Sequence, residues 1–411
     1  MPARPRPTVT DAAALRHARR LLARHPVVDG HNDLAWTIRN DAQARGDVAA
    51  YDLRRPTRGD TDLARLRAGG VGGQFWSVYI PGDLDGGRFA RVQLEQIDIA
   101  RRVIARYPER LTPALTAADV EQARRRGRIA SLLGIEGGHA IEGSLGALRA
   151  YYDLGVRYMT LTHNVTLDWA DSCNDVRRHG GLTDFGREVV REMNRLGMLV
   201  DLAHASPEVM AHALDVSEAP LISSHSSCRA LTDVTRNFPD TILRRLPKNG
   251  GVIMITFVGP FVSQAAADAR ARAMAELKPR LEGVTEPGER HRLERAHLRQ
   301  QRLPKANIAD VADHVEHARR LAGADHVGLG GDYDGNEEWP VGMEDVSTYP
   351  VLFAELIQRG WSDRDLAKLS RGNILRVMRE AEAAALRLRR RRVTRATPAA
   401  RGGATRAIAE S

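Results

Sequence analysis

The chain has 411 residues, 43% of them hydrophobic, which is enough for one large α/β domain or two ordinary ones. No stretch approaches the roughly 20 apolar residues that span a bilayer, so we expect no membrane partner. The two cysteines, Cys173 and Cys228, lie far apart, which excludes a disulfide scaffold. The N-terminus lacks the apolar core of a secretory signal, and we expect a cytoplasmic protein.

Most of the net charge of +9 is concentrated at the C-terminus. From residue 387 onward, eight arginines stand against one acidic residue, Glu410, so this segment carries +7 and the preceding part only +2. Because no aromatic residue is interleaved with these arginines, we expect a disordered basic tail over 387–411 and no specific nucleic-acid partner. A nucleic-acid-binding protein that acts through the tail is the rival from a different class. Residues 1–386 then form a single domain.

Short apolar runs alternate with segments that carry helix signals along the chain. Thr183 and Ser206 stand where helix N-caps are expected, and Gly197 stands where the first of these helices would stop. The runs are rich in Val, Ile and Leu, as is typical of strands in a buried parallel sheet. In chain order they are VVDGHND, GGQFWSVYI, IASLLGIEGG, VRYMTLTHN, GMLVDLAH, PLISSHSS, GGVIMITFV and HVGLGGDYDG.

Eight strands that alternate with helices predict an α/β fold, the (β/α)8 TIM barrel, and an open doubly wound sheet is the alternative. The barrel is favoured because six of the runs end in a reactive side chain, and barrel enzymes build their sites at the carboxyl ends of the strands. A charged, helix-prone insertion over 265–305 separates the seventh and eighth strands. It is interpreted as a lid or as the subunit contact of a homodimer.

Five residues at the ends of these runs have side chains that commonly bind metal ions. His31 and Asp33 are two residues apart, so both project to one side of a strand and can reach one cation. Glu136, followed by two glycines, has a carboxylate that could bridge two cations, and His204 and His225 could hold the second ion. Imidazole and carboxylate together suit Zn²⁺. The pattern therefore predicts two metal ions per chain, Zn²⁺ or a similar divalent ion.

Two cations about 3.5 to 4 Å apart can share a water, lower its pKa and present it as a nucleophile. Such a site is typical of a hydrolase, which also needs a proton carrier. Asp332 in GLGGDYDG is the candidate acid/base, and Asp334 is its close competitor because both follow the last run. Asp332 is preferred because it lies nearer the strand. Cys228, three residues after His225, is interpreted as a buried and inert thiol rather than a ligand.

The motifs resemble those of the membrane dipeptidase (renal dipeptidase) family of zinc metallopeptidases, from about Val27 to Val377. The matching blocks occur in order and make the resemblance specific. They are DGHNDL, GIEGGHAI, LTHN, GLTDFG, NRLGMLVDLAH, SHSS, RNFPD, VADH, GLGGDYDG and GNILRV. The chain looks like a soluble, microbial-type member.

The resemblance implies roles for eight residues. His31 and Asp33 would bind one zinc ion, His204 and His225 the other, and Glu136 would bridge them. The remaining residues would act on the substrate: Asp332 as the acid/base, His163 of LTHN at the developing oxyanion, and Arg236 of RNFPD at the terminal carboxylate. Composition alone would place Arg236 on the surface.

These expectations combine into one predicted function. The protein would be a dinuclear zinc dipeptidase that hydrolyses free dipeptides, both L,L and L,D, by a metal-bridging hydroxide with Asp332 as acid/base. A related amidohydrolase that opens a cyclic amide or lactam is the alternative, because the same nucleophile could attack either bond.

Overall fold

A computed structural model describes residues 11–84, 88–284 and 287–396. Eight parallel strands follow one another in a single sheet, and one further short strand pairs with the third member of the series. All eight predicted runs form strands, whereas the short strand, a three-residue element, was not predicted. The strands are β1 (Val27–Asn32), β2 (Val71–Ser77), β3 (Leu111–Pro113), β4 (Ile129–Ile135), β5 (Val156–Thr160), β6 (Leu199–Asp201), β7 (Ile222–Ser226), β8 (Val252–Ile255) and β9 (Val327–Leu329).

Helices connect the strands and surround the sheet. Within the described residues they are α1 (Ala12–Arg24), α2 (Leu34–Asn40), α3 (Leu63–Ala68), α4 (Phe89–Arg106), α5 (Ala117–Arg125), α6 (Leu145–Asp153), α7 (Asp184–Leu196), α8 (Pro207–Val216), α9 (Asp240–Leu243), α10 (Leu246–Asn249), α11 (Gly259–Val262), α12 (Gln264–Leu281), α13 (Pro287–Gln300), α14 (Ile308–Ala322), α15 (Tyr349–Gln358), α16 (Asp363–Ala367) and α17 (Asn373–Ala396). None of them is both long and apolar enough to cross a bilayer.

The sheet closes into a barrel between its first and last strands. Asn32, the last residue of β1, and Tyr333, beyond the end of β9, form a parallel bridge, and the Asp33 N–H donates to the Tyr333 carbonyl at 2.9 Å. The (β/α)8 prediction is therefore confirmed, and the open doubly wound sheet is wrong. Both faces of the strands are covered, as the complete burial of all seven residues of β4 illustrates.

The predicted helix signals around α7 and α8 are confirmed. The Thr183 side chain accepts from the Gly186 N–H, and the Ser206 side chain accepts from the Val209 N–H. Gly197 ends α7 with a φ of 84°, a left-handed conformation that glycine adopts without a Cβ clash. These caps fix where the chain turns back toward β6 and β7.

The C-terminal helix lies across the amino-terminal end of the barrel. Barrel-interior side chains such as Phe75 and Met254 share one buried cluster with Ile374 and Met378 of α17. The helix continues to Ala396, so the expected boundary between 386 and 387 falls inside it, and 387–396 are helical rather than disordered. The rest of the predicted tail, 397–411, lies outside the described residues.

The insertion before β9 forms two helices, α12 and α13, as its composition predicts. It contacts the loop that follows β9: Arg299 pairs with Glu337 at 2.7 Å, and Arg270 pairs with Glu338. The insertion is therefore anchored beside the carboxyl ends of the strands, on a loop that lies close in sequence to Asp332. Its use as a lid or as a subunit contact stays a prediction.

Candidate metal and catalytic site

Seven predicted side chains meet at the carboxyl end of the barrel. His31 and His225 lie within strands, Asp33 and Glu136 follow β1 and β4 directly, and the others lie three residues beyond β5, β6 and β9. Parallel strands direct their carboxyl ends to one mouth, so residues far apart in sequence become neighbours. The seven are His31, Asp33, Glu136, His163, His204, His225 and Asp332. Their chemical roles stay predictions.

Glu136 stands at the centre of this group. Its Oε2 lies 3.4 Å from His31 Nε2, whereas its Oε1 lies 3.0 Å from His204 Nε2 and 3.2 Å from His225 Nε2. His31 Nε2 in turn lies 3.1 Å from Asp33 Oδ2. The two oxygens of one carboxylate thus face two different sets of ligand-type atoms, as a bridging carboxylate requires.

The ring nitrogens of His204 and His225 fit a shared cation. Their Nε2 atoms lie 3.1 Å apart, while their Nδ1 atoms face Asn164 Oδ1 at 3.3 Å and Ser224 Oγ at 2.8 Å. An imidazole whose Nδ1–H donates to an oxygen presents a lone pair at Nε2. Two such lone pairs repel each other unless positive charge lies beside them, so the donor set suits a metal ion.

Asp33 provides a second indication that a cation belongs here. Its Oδ1 is buried and has no hydrogen-bond partner, although a buried carboxylate oxygen without compensation is costly. The described residues include three overlapping groups whose ligand-type atoms lie within 4.8 Å of one another. One of these groups joins His163 to Glu136 and His204, so proximity alone does not separate His163 from the predicted ligands.

The electrostatics of the site follow from burial and from its carboxylates. Burial lowers the pKa of His163, His204 and His225 well below the usual range, which keeps these imidazoles neutral. Burial also lowers the pKa of His31, but Tyr158 and the two neighbouring carboxylates outweigh it and raise the pKa well above its usual value. The position of His31 therefore favours positive charge.

Asp332 occupies a strained turn beside the cluster. Its φ is 65° and that of Asp334 is 63°, left-handed values that side chains rarely adopt. Asp332 Oδ1 lies 3.8 Å from His31 Nε2, and burial raises the pKa of Asp332 well above its ordinary value. A Cβ at Gly335 would lie 2.5 Å from Asp332 Oδ1 and 2.4 Å from Asp33 Oδ2, so only glycine lets the turn pack this closely.

Asp334 has a different setting from Asp332. Its Oδ1 accepts from the Asp60 N–H at 2.9 Å, and its own N–H donates to Asp60 Oδ2 at 2.8 Å. These reciprocal bonds attach the turn after β9 to the loop before α3. The geometry thus gives Asp334 a part in holding the turn, while Asp332 is the one that faces His31.

Arg236 is buried, with 2% of its surface exposed, so the surface placement that composition favours is wrong. Its Nη1 donates to Ser226 Oγ at 2.7 Å and its Nη2 to the His225 carbonyl at 2.6 Å. Its Nε is buried without a partner. A buried guanidinium with a free N–H beside a histidine of the cluster suits a substrate anion.

The polar segment from Asp171 to Gly181 covers part of the mouth. The Cys173 N–H donates to the His204 carbonyl at 2.8 Å, and Ser172 Oγ donates to the His163 carbonyl at 2.5 Å. Cys228 is buried, and burial raises the pKa of its thiol, which agrees with an inert side chain.

Comparison with known proteins places the chain in a family. The family described as membrane dipeptidase (peptidase family M19) matches residues 15–392. The chain belongs to this family. Dipeptidase 3 from Mus musculus is 42% identical over 378 residues, which cover 91% of this chain and 68% of the mouse protein. Dipeptidase 3 from Rattus norvegicus is 41% identical over the same shares of both chains.

Solved structures of a probable dipeptidase and of a metallo peptidase share the fold. The probable dipeptidase PvdM from Pseudomonas aeruginosa superposes with a TM-score of 0.78 at 24% identity, over 91% of this chain and 99% of that one. A metallo peptidase from Rhodobacter sphaeroides, liganded with a phosphinate mimic of the dipeptide L-Ala-D-Ala, has a TM-score of 0.71 at 25% identity, over 87% and 99%. Its family and its dipeptidase relatives make the protein a metallo-dipeptidase, and the family implies metal ions.

Sequence reasoning missed the residues that support this cluster from below. His31 Nδ1 faces Tyr158 Oη at 2.8 Å, and Asp29 and Asp201 each accept four hydrogen bonds beneath the cluster. Asp29 and Ser224 stand within two residues of a predicted ligand in the sequence, and this nearness could have identified them as supporting residues. Tyr158 is 127 positions from His31 in the chain, and only the fold brings the two together.

Proposed function

We propose that the protein is a dinuclear zinc dipeptidase that hydrolyses free dipeptides of both the L,L and the L,D type. The observation that carries the proposal is Glu136, whose two carboxylate oxygens face His31 on one side and the His204 and His225 pair on the other. In this proposal His31 and Asp33 hold one ion, His204 and His225 the other, and Glu136 bridges them. When bound, the metal pair supplies an ionised water as the nucleophile.

The protein's own groups would bind the substrate and move its protons. Arg236 holds the terminal carboxylate through its buried guanidinium, which fixes the scissile bond at a set distance from the cluster. His163 donates a hydrogen bond to the carbonyl oxygen as negative charge develops on it. Asp332 accepts the proton of the attacking water and delivers it to the leaving amine, which must depart protonated.

Support for L,D substrates comes from a relative. The Rhodobacter sphaeroides metallo peptidase, 25% identical, was solved with a phosphinate mimic of L-Ala-D-Ala. A carboxylate that is held by a single guanidinium fixes one end of the substrate and leaves the configuration of the neighbouring carbon less constrained. We therefore include C-terminal D-residues among the substrates.

The test is a kinetic screen of zinc-loaded protein against L,L and L,D dipeptides, with quantification of both released amino acids. Each dipeptide is paired with its C-terminally amidated and its N-acetylated form. We expect turnover of free dipeptides and a large loss of kcat/KM on amidation, because the carboxylate partner of Arg236 is removed. In the Arg236→Lys variant the penalty for amidation should shrink.

Either of two kinds of result would contradict the proposal. One is no turnover of any dipeptide by protein that carries two equivalents of zinc. The other is equal turnover of free and blocked forms, or faster opening of cyclic amides, which would favour the related amidohydrolase reaction.

A further inference from the structure

Asp201, the last residue of β6, is fully buried beneath the proposed metal cluster. Its Oδ1 accepts from the backbone N–H groups of Ala203 and Ser224, at 3.1 and 2.8 Å. Its Oδ2 accepts from Thr160 Oγ1 and Ser224 Oγ, both at 2.6 Å. One carboxylate thus joins the ends of β5, β6 and β7, and all four of its partners are donors.

The direction of the next hydrogen bond follows from this. A hydroxyl has one proton, and Ser224 Oγ donates it to Asp201 because an ionised carboxylate can only accept. At its second contact, 2.8 Å from His225 Nδ1, Ser224 Oγ must therefore accept. His225 then carries its proton on Nδ1 and presents a lone pair at Nε2, which lies 3.2 Å from Glu136 Oε1.

We propose that Asp201 is a positioning residue that, through Ser224, locks His225 in the tautomer able to bind a metal ion. The inference rests on the proposed role of His225 as a ligand. Partners behind metal-binding histidines commonly fix the tautomer and the ring orientation, and their loss lowers metal affinity by roughly 10- to 100-fold. Here Asp201 acts indirectly: the Ser224 hydroxyl donates to the carboxylate and therefore accepts from the ring of His225.

The Asp201→Asn variant should reverse this relay. An amide has donor hydrogens on one side, and the Oδ1 side of Asp201 faces two backbone N–H groups that cannot turn round. The Oδ2 side faces two hydroxyls that can. The amide nitrogen therefore takes the Oδ2 position and donates to Ser224 Oγ, which then donates to His225 Nδ1. His225 would be left with its proton on Nε2, where it blocks a metal ion.

The experiment measures zinc affinity by competition with a chromophoric chelator in the full-length protein. We expect Asp201→Asn to weaken one of two zinc equivalents by roughly 10- to 100-fold. Thr160→Val, which removes a hydrogen bond to Asp201 but keeps the relay, is the matched control and should bind both ions normally. In a Ser224→Ala background no relay exists, so adding Asp201→Asn should cause little further loss.

A second readout reports the tautomer directly. Nitrogen-15 spectra of the histidines in metal-free protein, assigned with a His225→Gln variant, should show the His225 proton on Nδ1 in the parent and on Nε2 in Asp201→Asn. A His225 ring protonated on Nε2 in the parent, or unchanged zinc affinity in Asp201→Asn, would overturn this inference and leave the proposed function standing. If His225→Gln keeps both zinc ions, the proposed ligand set is wrong as well.

Discussion

The carboxylate of Asp29 on β1 accepts a hydrogen bond from the Gly331 N–H, 2.7 Å away across the seam where β1 meets the end of β9. The same carboxylate accepts from the N–H of His31 at 2.9 Å, from Gln74 at 2.8 Å and from the Tyr349 hydroxyl at 2.7 Å. A single buried group thus places a proposed metal ligand, His31, and the turn that carries Asp332. We expect the Asp29 carboxylate to be important for the stability of this seam, because few backbone hydrogen bonds join the two strands there.

Asp29→Asn should therefore destabilise the protein and slow catalysis together. The amide directs an N–H at one of four donors, so we expect a loss of about 2–4 kcal/mol in the free energy of unfolding, measured with urea. Exposed Asp98→Asn on α4, which loses only its pair with Arg102, is the control and should change it by less than about 1 kcal/mol. Unchanged stability of Asp29→Asn would show that the seam does not depend on this carboxylate.

Glu136→Gln should impair metal loading. A neutral amide bridges two cations poorly, since it offers one oxygen and no charge. We expect fewer than two zinc ions per chain after dialysis, measured by elemental analysis, with kcat reduced in parallel. Exposed Glu109→Gln should load normally. Retention of two ions by Glu136→Gln would rule out the bridging role.

Asp332→Asn should keep its metal ions and lose turnover. We expect kcat to fall by roughly 10²- to 10⁴-fold, the usual loss on removing a general acid/base, while the metal content stays that of the parent. Asp334→Asn is the matched comparison. Asp334 Oδ1 accepts from the Asp60 N–H, whereas Asp332 Oδ1 lies 3.8 Å from His31 Nε2. A larger fall of kcat in Asp334→Asn than in Asp332→Asn would reverse the assignment.

The basic end of α17 should act on stability and not on catalysis. Arg389 donates to the carbonyls of Arg195 and Leu196, at 3.0 and 2.8 Å, and so satisfies the end of α7. Arg389→Met should cost about 1 kcal/mol in unfolding free energy, and exposed Arg101→Met on α4 should cost less. Deleting 387–411 should lower the melting temperature but leave kcat unchanged, because α17 lies at the opposite end of the barrel. A large loss of kcat would contradict this.

The protein should become less stable as the pH is lowered, because the folded state keeps His314 neutral. Burial lowers the pKa of His314 to about 4, and its Nδ1 accepts from the Cys228 N–H at 2.9 Å, so the folded protein holds a neutral ring. Unfolded histidine titrates near 6.5, so between about pH 6.5 and 4 the unfolded chain binds a proton that the folded chain excludes. This group then removes about 1.4 kcal/mol of stability per pH unit as the pH falls.

The comparison with His314→Gln isolates that contribution, since glutamine offers an acceptor but does not titrate. Urea unfolding at pH 7, 6 and 5 should give a shallower pH dependence for the variant, by about one proton. Metal release and the titration of all other groups affect both proteins alike, so they cancel when the two curves are subtracted. Parallel curves would show that His314 does not titrate across folding.

The sequence predicted the barrel and the side chains gathered at its mouth for a definite physical reason. Parallel strands that are covered on both faces must be continuous apolar runs, and their carboxyl ends share one mouth, so His31, Glu136, His204 and His225 could be grouped by position alone. The prediction went wrong where the pattern is weak. Three-residue β3 has too few positions to show a period, and Arg389 of α17 was assigned to a disordered tail although it donates to two carbonyls of α7 that no sequence pattern reveals.

Local pattern thus determined the fold, the family resemblance and the residues at the strand ends. Tertiary structure decided how these residues are held: the burial of Arg236, the two faces of Glu136, and the carboxylates of Asp29 and Asp201 beneath the cluster. These are contacts between strands distant in the chain, and their distances and hydrogen-bond directions exist only once the barrel closes. Asp201 and His225 are 24 residues apart, and it is the pairing of β6 with β7 that brings Ser224 between them.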